Sequence, residues 1–533
     1  MGKLWYGGTI YTMVKEGHQV DAVYTNNGKI LDVGTKKELK HKYAQQIREE
    51  VNLNGKVMYP GFTDSHLHII GHGEKLLRLD LSKATSKKEV LKEIKKISET
   101  LEEDEWVIGE GFNENMWQDP TVLHCREIDE VINDRPVVLT RVCRHALIAN
   151  SKAMELAGVS PTTSSPDGGL IERDDDGELT GYFHDQAQQL IKDAMPSVSD
   201  RHIVRAINVA VDDLIQNGLV GGHNEDLNHY GSFERTFKAF QQSINENHKF
   251  RAHMLVHHEV VEEMVSLGYE FGQGSQWLRL GAMKIFTDGA LGGRTAWLKQ
   301  PYEDDPATYG VAIHSGDDLE TLIKKARRYN MPVAVHAIGD AALEQVVHYI
   351  TEHPVPQGEK DRLIHGQMLT EEIYEKIAQL PVIIDIQPTF VSSDFPWVIE
   401  RIGEDRLKHA YPWKSLLQHG IICAGGSDAP IEDINPIKGI DAAVNRVSVH
   451  DGKVYGREER LTPFEAVSLY TTGSAAAISK EHEQGKIAPG YVADFTVLSE
   501  DLFTVDHKMI KNVTVEMTVI DNTIVFNREN NQG

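Results

Sequence analysis

Along most of its length the chain alternates short apolar runs with segments whose apolar residues recur every three or four positions. The runs read as strands and the periodic segments as amphipathic helices. In order the runs are FTDSHLH, NGLVGGHNED, KFRAHMLVHH, LRLGAMKIFTDG, PVAVHAIGD, RLIHGQ, PVIIDIQP and GIICAGGSD. Most are followed by a helical pattern, as in AALEQVVHYITE and TEEIYEKIAQL. The latter opens with Thr370 at an N-cap position and Glu371 and Glu372 in the first turn, where the helix dipole favours negative charge. Eight such units predict an α/β fold built as a (β/α)8 TIM-like barrel over residues 61–484. A doubly wound open sheet satisfies the same pattern and is the alternative.

The two ends of the chain are patterned differently. Residues 1–60 alternate with period two and turn at Gly or Asn-Gly, and residues 485–533 do the same in ADFTVLSEDLF and NVTVEMTVIDNTIVF. Because domain termini commonly lie close together, these segments predict one composite β-sandwich domain, 1–60 plus 485–533. A second irregularity follows the first barrel run, where the gap to the next far exceeds an ordinary βα loop. Within that gap Ser86 and Glu89 have the spacing of a capping box, and Val90, Ile94, Ile97 and Leu101 form an apolar stripe. WVIGEGF and PVVLTRVC read as strands. Residues 73–217 are therefore expected to be largely an inserted lid subdomain at the C-terminal rim of the barrel.

Composition narrows the function class. The chain has 533 residues and a formal net charge of -25, which argues against nucleic acid, since a phosphate backbone needs a basic surface. No apolar run approaches membrane-spanning length, and the N-terminus lacks the pattern of a secretion signal. The three cysteines, Cys125, Cys143 and Cys423, show no paired spacing, the usage of a reduced, cytoplasmic protein. A small-molecule substrate, no membrane, no nucleic acid and a possible homo-oligomer are the expected partners.

The candidate chemistry starts at PGFTDSHLHIIG. On a strand residues i and i+2 share a face, so His66 and His68 point the same way. Barrel active sites collect residues from the C-terminal ends of strands. There the sequence also has His336, His365 and Asp428, with Lys284 near the end of the fourth run. Four imidazoles and a carboxylate suit zinc or a similar divalent metal. Taken singly, His336 and His365 read better as core histidines, while Asp428 reads also as a helix N-cap and Lys284 as a lysine reaching out of the barrel mouth. His72, His229, His248, His353 and His450 read as loop or surface residues, His223 as a supporting histidine and Cys423 as core. Asp288 and Arg294, in TDGALGGRTA, fit either a turn or substrate contacts.

The motifs PGFTDSHLH, HALIANSKAMELAG, DGGLIERDDDGELTGYF, KIFTDGALGGRTA, VAVHAIGDAA, HGQM, GEDRLKHAYPWKSLLQHG and GGSDAPIEDINP together resemble the amidohydrolase superfamily over essentially the whole chain. The likeness is to its YtcJ-like branch, which includes N-substituted formamide deformylases. The resemblance implies a composite β-sandwich flanking a (β/α)8 barrel, and metal-dependent hydrolysis of a non-peptide C–N bond. It assigns His66, His68, His336, His365 and Asp428 as ligands of one or two zinc ions per chain, Lys284 as a carboxylated bridge, and Asp428 also as general base and acid. Where relatives often carry a histidine after the Pro-Thr of QPTF this chain has Phe390, and its insert adds Phe112, Trp117 and His145. Phe390 and these insert residues, whose other reading is packing within the insert, point to a neutral or hydrophobic N-substituted amide or formamide, with Asp288 and Arg294 as further candidate substrate contacts. Ester, carbamate or ring C–N hydrolysis is the alternative reading, and a non-catalytic regulatory or scaffold homologue a further one.

Overall fold

The computed structural model describes residues 1–101, 105–143, 145–196 and 198–531. Eight strands form one parallel sheet in sequence order: β1 (Phe62–Leu67), β2 (Leu219–Asn224), β3 (Arg251–His257), β4 (Leu278–Phe286), β5 (Val333–Ala337), β6 (Asp361–His365), β7 (Val382–Ile386) and β8 (Ile422–Gly425). Their registers run without interruption from β4 to β8, as in Phe286 opposite His336 and Ala337 opposite His365. Strands β2, β6 and β7 are buried throughout, as parallel strands covered on both faces must be. The end strands meet just past their C-termini. The Asp428 N–H donates to the His66 carbonyl at 2.7 Å, and the His68 N–H to the Ala429 carbonyl at 2.8 Å. That seam turns the sheet into a nearly closed barrel.

The helices behave as their patterns require. Gly316–Arg328 starts at Ser315, whose Oγ accepts the Asp318 N–H at 3.2 Å, and turns Leu319, Ile323 and Ala326 inward. Thr370 does occupy the N-cap of Glu371–Ile377, but its buried hydroxyl makes no hydrogen bond, so the acidic first turn alone complements that helix.

The termini share one eight-stranded sheet. Its order is Thr523–Asn527, Val515–Ile520, Phe495–Leu498, Val57–Pro60, Gly2–Tyr11, Gln19–Asn26 and Lys29–Gly34, with Ile47–Asn52 also parallel to Gly2–Tyr11. Trp5, Val23 and Met58 from the first segment pack with Phe495, Val497 and Val519 from the last. Buried Thr496 ties this sheet to the barrel, its Oγ1 donating to the Gly218 carbonyl at 2.7 Å and accepting the Phe62 N–H at 3.0 Å. Arg251 at the start of β3 makes a two-armed ion pair with Asp494.

Glu74–His202 is a separate compact unit. Its six strands run Gly169–Arg173, Leu179–Asp185, Ala146–Ala149, Val137–Arg141, Val107–Phe112 and Leu79–Asp80, with an apolar cluster on each side of the sheet. The unit ends earlier than residue 217. Helix Asp200–Gln216 buries Ile203, Ala206, Ile207, Ala210 and Leu214, and belongs with the barrel from Ile203 onward. It packs so close to Ile69–Leu77 that a Cβ at Gly73 would sit 1.9 Å from the Ala206 carbonyl oxygen. The expected capping box is also displaced. Ser86 caps Lys87–Ser98 through the Glu89 N–H, while the Glu89 carboxylate reaches back to the Thr85 N–H and hydroxyl instead. Among the described residues no helix is long and apolar enough to cross a membrane.

Thr496→Val keeps the shape of a buried side chain but strips partners from the Phe62 N–H and the Gly218 carbonyl. Unfolding in urea should show a loss of about 1–3 kcal/mol per group left unsatisfied, with the slope of the transition unchanged.

Candidate metal centre

The site is assembled from the seam. In β1, His66 is buried, and His68 emerges one residue past the strand with its ring 5.6 Å from that of His66, centroid to centroid. Asp64, two residues earlier, is also buried. Its carboxylate accepts the His66 N–H at 2.9 Å and the Ser427 N–H at 3.0 Å, binding the end of β1 to the turn after β8. Gly426 lets that turn approach, since a Cβ there would lie 2.6 Å from the His66 nitrogen. Asp428 then takes a left-handed conformation, φ 57°, which carries its carboxylate back over β1. Its Oδ1 is 3.4 Å from His66 Nε2 and 3.5 Å from His68 Nε2.

The remaining predicted groups close round this trio. The His365 ring lies 5.6 Å from that of His66 and 4.5 Å from that of His336. Buried Lys284 places Nζ 3.4 Å from His66 Nε2, and among the described residues no carboxylate lies within 4 Å of it. All four histidines and Asp428 line one cavity of about 420 Å³, whose walls include Phe286, Leu291, Ile338, Phe390 and Trp397.

A layer of partners that strand-end reasoning did not identify fixes these rings. His365 Nδ1 donates to Gln387 Oε1 at 2.7 Å, which leaves Nε2 for the cavity. His336 Nε2 donates to the Gly289 carbonyl at 3.1 Å, leaving Nδ1. His68 Nδ1 donates to the Glu225 carbonyl at 3.0 Å and faces the carboxylates of Glu225 and Asp226 at 3.6 and 3.5 Å. Asn224 and Asp226 take the N–H groups of Ile69 and Ile70, the start of the helix after β1. All three come from the end of β2, in the HNED stretch whose run of polar residues was the available signal. His229 is no bystander either, bonded to Glu225 Oε2 at 3.2 Å with its ring 5.8 Å from that of His68. His72, expected at the surface, is buried and bonded to Asp213 at 2.8 Å.

Burial governs the protonation of the imidazoles. It holds His66 and His336 well below their ordinary pKa and His365 down at about 4, with neighbouring positive groups adding to the effect. His68 is the exception. Burial pulls it down, but the carboxylates of Asp226, Asp428 and Glu225 outweigh that and raise it well above the usual range. Lys284 is lowered by burial, partly offset by Glu225 and Asp428. Neutral imidazoles and an anionic carboxylate are what a borderline divalent cation takes. The donor atoms of His66, His68 and Asp428 lie within 4.8 Å of one another, and so do those of His68, Glu225 and His229. Residues and chemistry therefore fit a metal ion.

The expected substrate contacts divide. Phe390 lines the cavity, its ring stacked at 12° and 6.1 Å on His365. Asp288 does not face substrate: its buried carboxylate accepts the N–H groups of Trp297, Ile338 and Gly339 at 2.8–3.0 Å and anchors the loop after β4. Arg294 points away in a two-armed pair with Asp304. Phe112 and Trp117 are core residues of the inserted unit, Trp117 donating from its indole to the Ala84 carbonyl. His145 is exposed and paired with Asp185 at 3.1 Å. In these five positions local packing or pairing uses the side chain that an extrapolated substrate role would need.

Comparison with known proteins agrees with this architecture. The amidohydrolase family profile matches residues 49–526. The YtcJ protein of Bacillus subtilis (strain 168) is 49% identical over 99% of this chain and 100% of its own. The N-substituted formamide deformylase of Arthrobacter pascens is 26% identical over 95% of both chains. A solved structure described as an uncharacterized metal-dependent hydrolase from Pyrococcus horikoshii superposes with a TM-score of 0.78 at 29% identity, covering 95% of this chain and 99% of that one. With its histidine-lined barrel mouth and this likeness along nearly its full length, the chain belongs to the amidohydrolase family, in the branch that contains YtcJ.

Proposed function

We propose that this protein is a metal-dependent hydrolase of non-peptide C–N bonds, acting on a neutral or hydrophobic N-substituted amide or formamide. The observation that carries the reading is the convergence of His66, His68 and Asp428, with His336 and His365 beside them, on the floor of one largely apolar cavity. In this reading His66, His68, His336, His365 and Asp428 hold one or two divalent ions, with zinc the metal best matched to the donors. Lys284, buried at His66 with no carboxylate of its own in ion-pair range, becomes a bridging oxygen ligand once carboxylated on Nζ, which favours two ions. An ion bound there supplies Lewis-acid polarisation of a carbonyl and acidification of water.

The chain's own residues do the rest. Asp428 takes a proton from the attacking water and returns it to the amine nitrogen as the C–N bond breaks, so that the amide leaves as a carboxylic acid and a free amine. Gln387 fixes the His365 tautomer, and the Glu225 carbonyl fixes that of His68, so each ring meets the cavity with a defined nitrogen. Phe286, Leu291, Ile338, Phe390 and Trp397 receive the substituent on nitrogen, and their apolar surface favours hydrocarbon over charge. The formamide class rests further on the likeness to the Arthrobacter pascens enzyme. The three free thiols of Cys125, Cys143 and Cys423 are in keeping with a cytoplasmic enzyme.

Stripping the protein with a chelator should abolish hydrolysis of N-formyl amines, and zinc should restore it; turnover that persisted without metal would overturn the mechanism. A parallel panel of cyclic amides, carbamates and aryl esters separates the C–N reading from its ester alternative. Metal content near zero in the purified chain would instead favour a non-catalytic homologue. Asp428→Asn, reconstituted to wild-type metal content, should lose about 10²–10⁴ in kcat with little change in KM. Gln387→Leu should weaken metal binding by about 10–100-fold in competition with a chromogenic chelator, beyond the loss of about 1–3 kcal/mol in stability expected of the metal-free protein from a buried N–H left without its acceptor.

A further inference from the structure

At the other end of the barrel strands lies a second cavity, of about 360 Å³. Its walls come from the early part of β3 and β4, from the turn at 272–276, from residues 478–484 and from the hairpin turn at Asn27–Lys29 of the terminal sheet. Four cationic side chains line it: Lys29, Arg251, Arg279 and Lys480. Only two carboxylates do so, and both are engaged, Glu483 with Lys480 at 2.9 Å and Asp521 with Lys249 at 3.1 Å. Arg251 is matched by Asp494. Lys29 and Arg279 have no carboxylate within 4 Å among the described residues.

The Glu483 carboxylate acts on both Lys29 and Arg279 from beyond that range and is shared with Lys480, so the cavity keeps an excess of positive charge in a chain that has 80 acidic against 55 basic residues. The inner wall adds His253, which is 8% exposed and whose Nδ1 has no hydrogen-bond partner, and the buried ring of His223, 5.4 Å away. His253 lies well below its ordinary pKa, first through burial and then through the positive charges of Arg362, Arg279 and Lys480. Guanidinium and ammonium groups supply the charge-assisted bonds that oxyanions take, and a neutral ring on the inner wall brings no competing negative charge.

We propose that this cavity is a binding site for a small oxyanion, the phosphate or carboxylate group of a metabolite, held by Arg279 and Lys29 against the inner wall that His253 lines. It is separate from the histidine centre and needs no assumption about the reaction there.

The test is calorimetric titration of the full-length, metal-loaded protein with inorganic phosphate and with succinate, at constant ionic strength. At least one should bind saturably. Arg279→Ala should weaken it by at least about tenfold, as loss of a charged hydrogen-bond donor does, while Lys92→Gln on the inserted unit leaves it unchanged. Lys29→Gln, at the edge of the turn, is the second variant should Arg279→Ala misfold. Phosphate alone would mark a phosphoryl ligand, succinate alone a carboxylate, and both an unselective oxyanion site. Absence of saturable binding, or binding that neither Arg279→Ala nor Lys29→Gln alters (as for an anion on the metal centre), overturns the proposal.

Discussion

The whole centre depends on how β1 and β8 are stitched together. The seam uses two backbone hydrogen bonds and one buried carboxylate, Asp64, that collects N–H groups from both sides. Burial raises Asp64 to about 7 even though every bond it accepts pulls the other way. The carboxylate therefore sits in a costly position, held by geometry that only a closed barrel offers. Without it Ser427 and His66 would each have a buried N–H to satisfy, and the turn bearing Asp428 would be held over the histidines by the two backbone hydrogen bonds alone. The GGSD motif follows from the same constraint: Gly426 is small because His66 is behind it, and Asp428 is left-handed because the chain must reverse within two residues.

Below the histidines the barrel interior is not the aliphatic packing usual for this architecture. Arg362 donates from Nε to Asp385 at 2.8 Å and from Nη2 to the Ser65 carbonyl at 2.5 Å, with both charged side chains essentially unexposed. Such a pair is a poor source of stability, because desolvating both ions offsets most of their attraction. Its geometric effect is clearer. The bond to Ser65 grips β1 between Asp64 and His66, from the side opposite the β8 seam. The first histidine of the pair is thus flanked by two held neighbours, its own N–H bound by Asp64 and the Ser65 carbonyl by Arg362.

Much of this was legible in the one-dimensional pattern, for a physical reason. A buried parallel strand must be apolar along its run, so a polar residue at its C-terminal end stands out, and His336, His365 and Asp428 were found in that way. The barrel and the sheet shared by both termini follow from the same alternation. What the pattern hid was partnership. Glu225, Asp226 and Gln387 act through contacts between strands, which no spacing along one strand reveals. The failed expectations have a common cause too. Phe112, Trp117, Asp288 and Arg294 have side chains suited to a site, but each is used locally, and an aromatic or a carboxylate in a loop cannot be told from a core residue or an anchor without its neighbours. The early end of the insertion escaped because Asp200–Gln216 has one unbroken helical stripe, and periodicity does not say which core the stripe faces.

Burial at the barrel mouth acts on the two kinds of group in opposite senses, and the site uses both. It keeps His66, His336 and His365 neutral, so their lone pairs are available at neutral pH. His68 alone is pulled toward its charged form, because three carboxylates surround it, one on the cavity side and two behind. For a metal ion at the proposed centre, a proton on His68 would be the competitor, and the same carboxylates that favour the proton would favour the more highly charged cation. At His66, His336 and His365 burial prevails even though Asp428 lies 3.4 Å from His66 and Asp288 3.4 Å from His336, so these rings add no positive charge to the cluster.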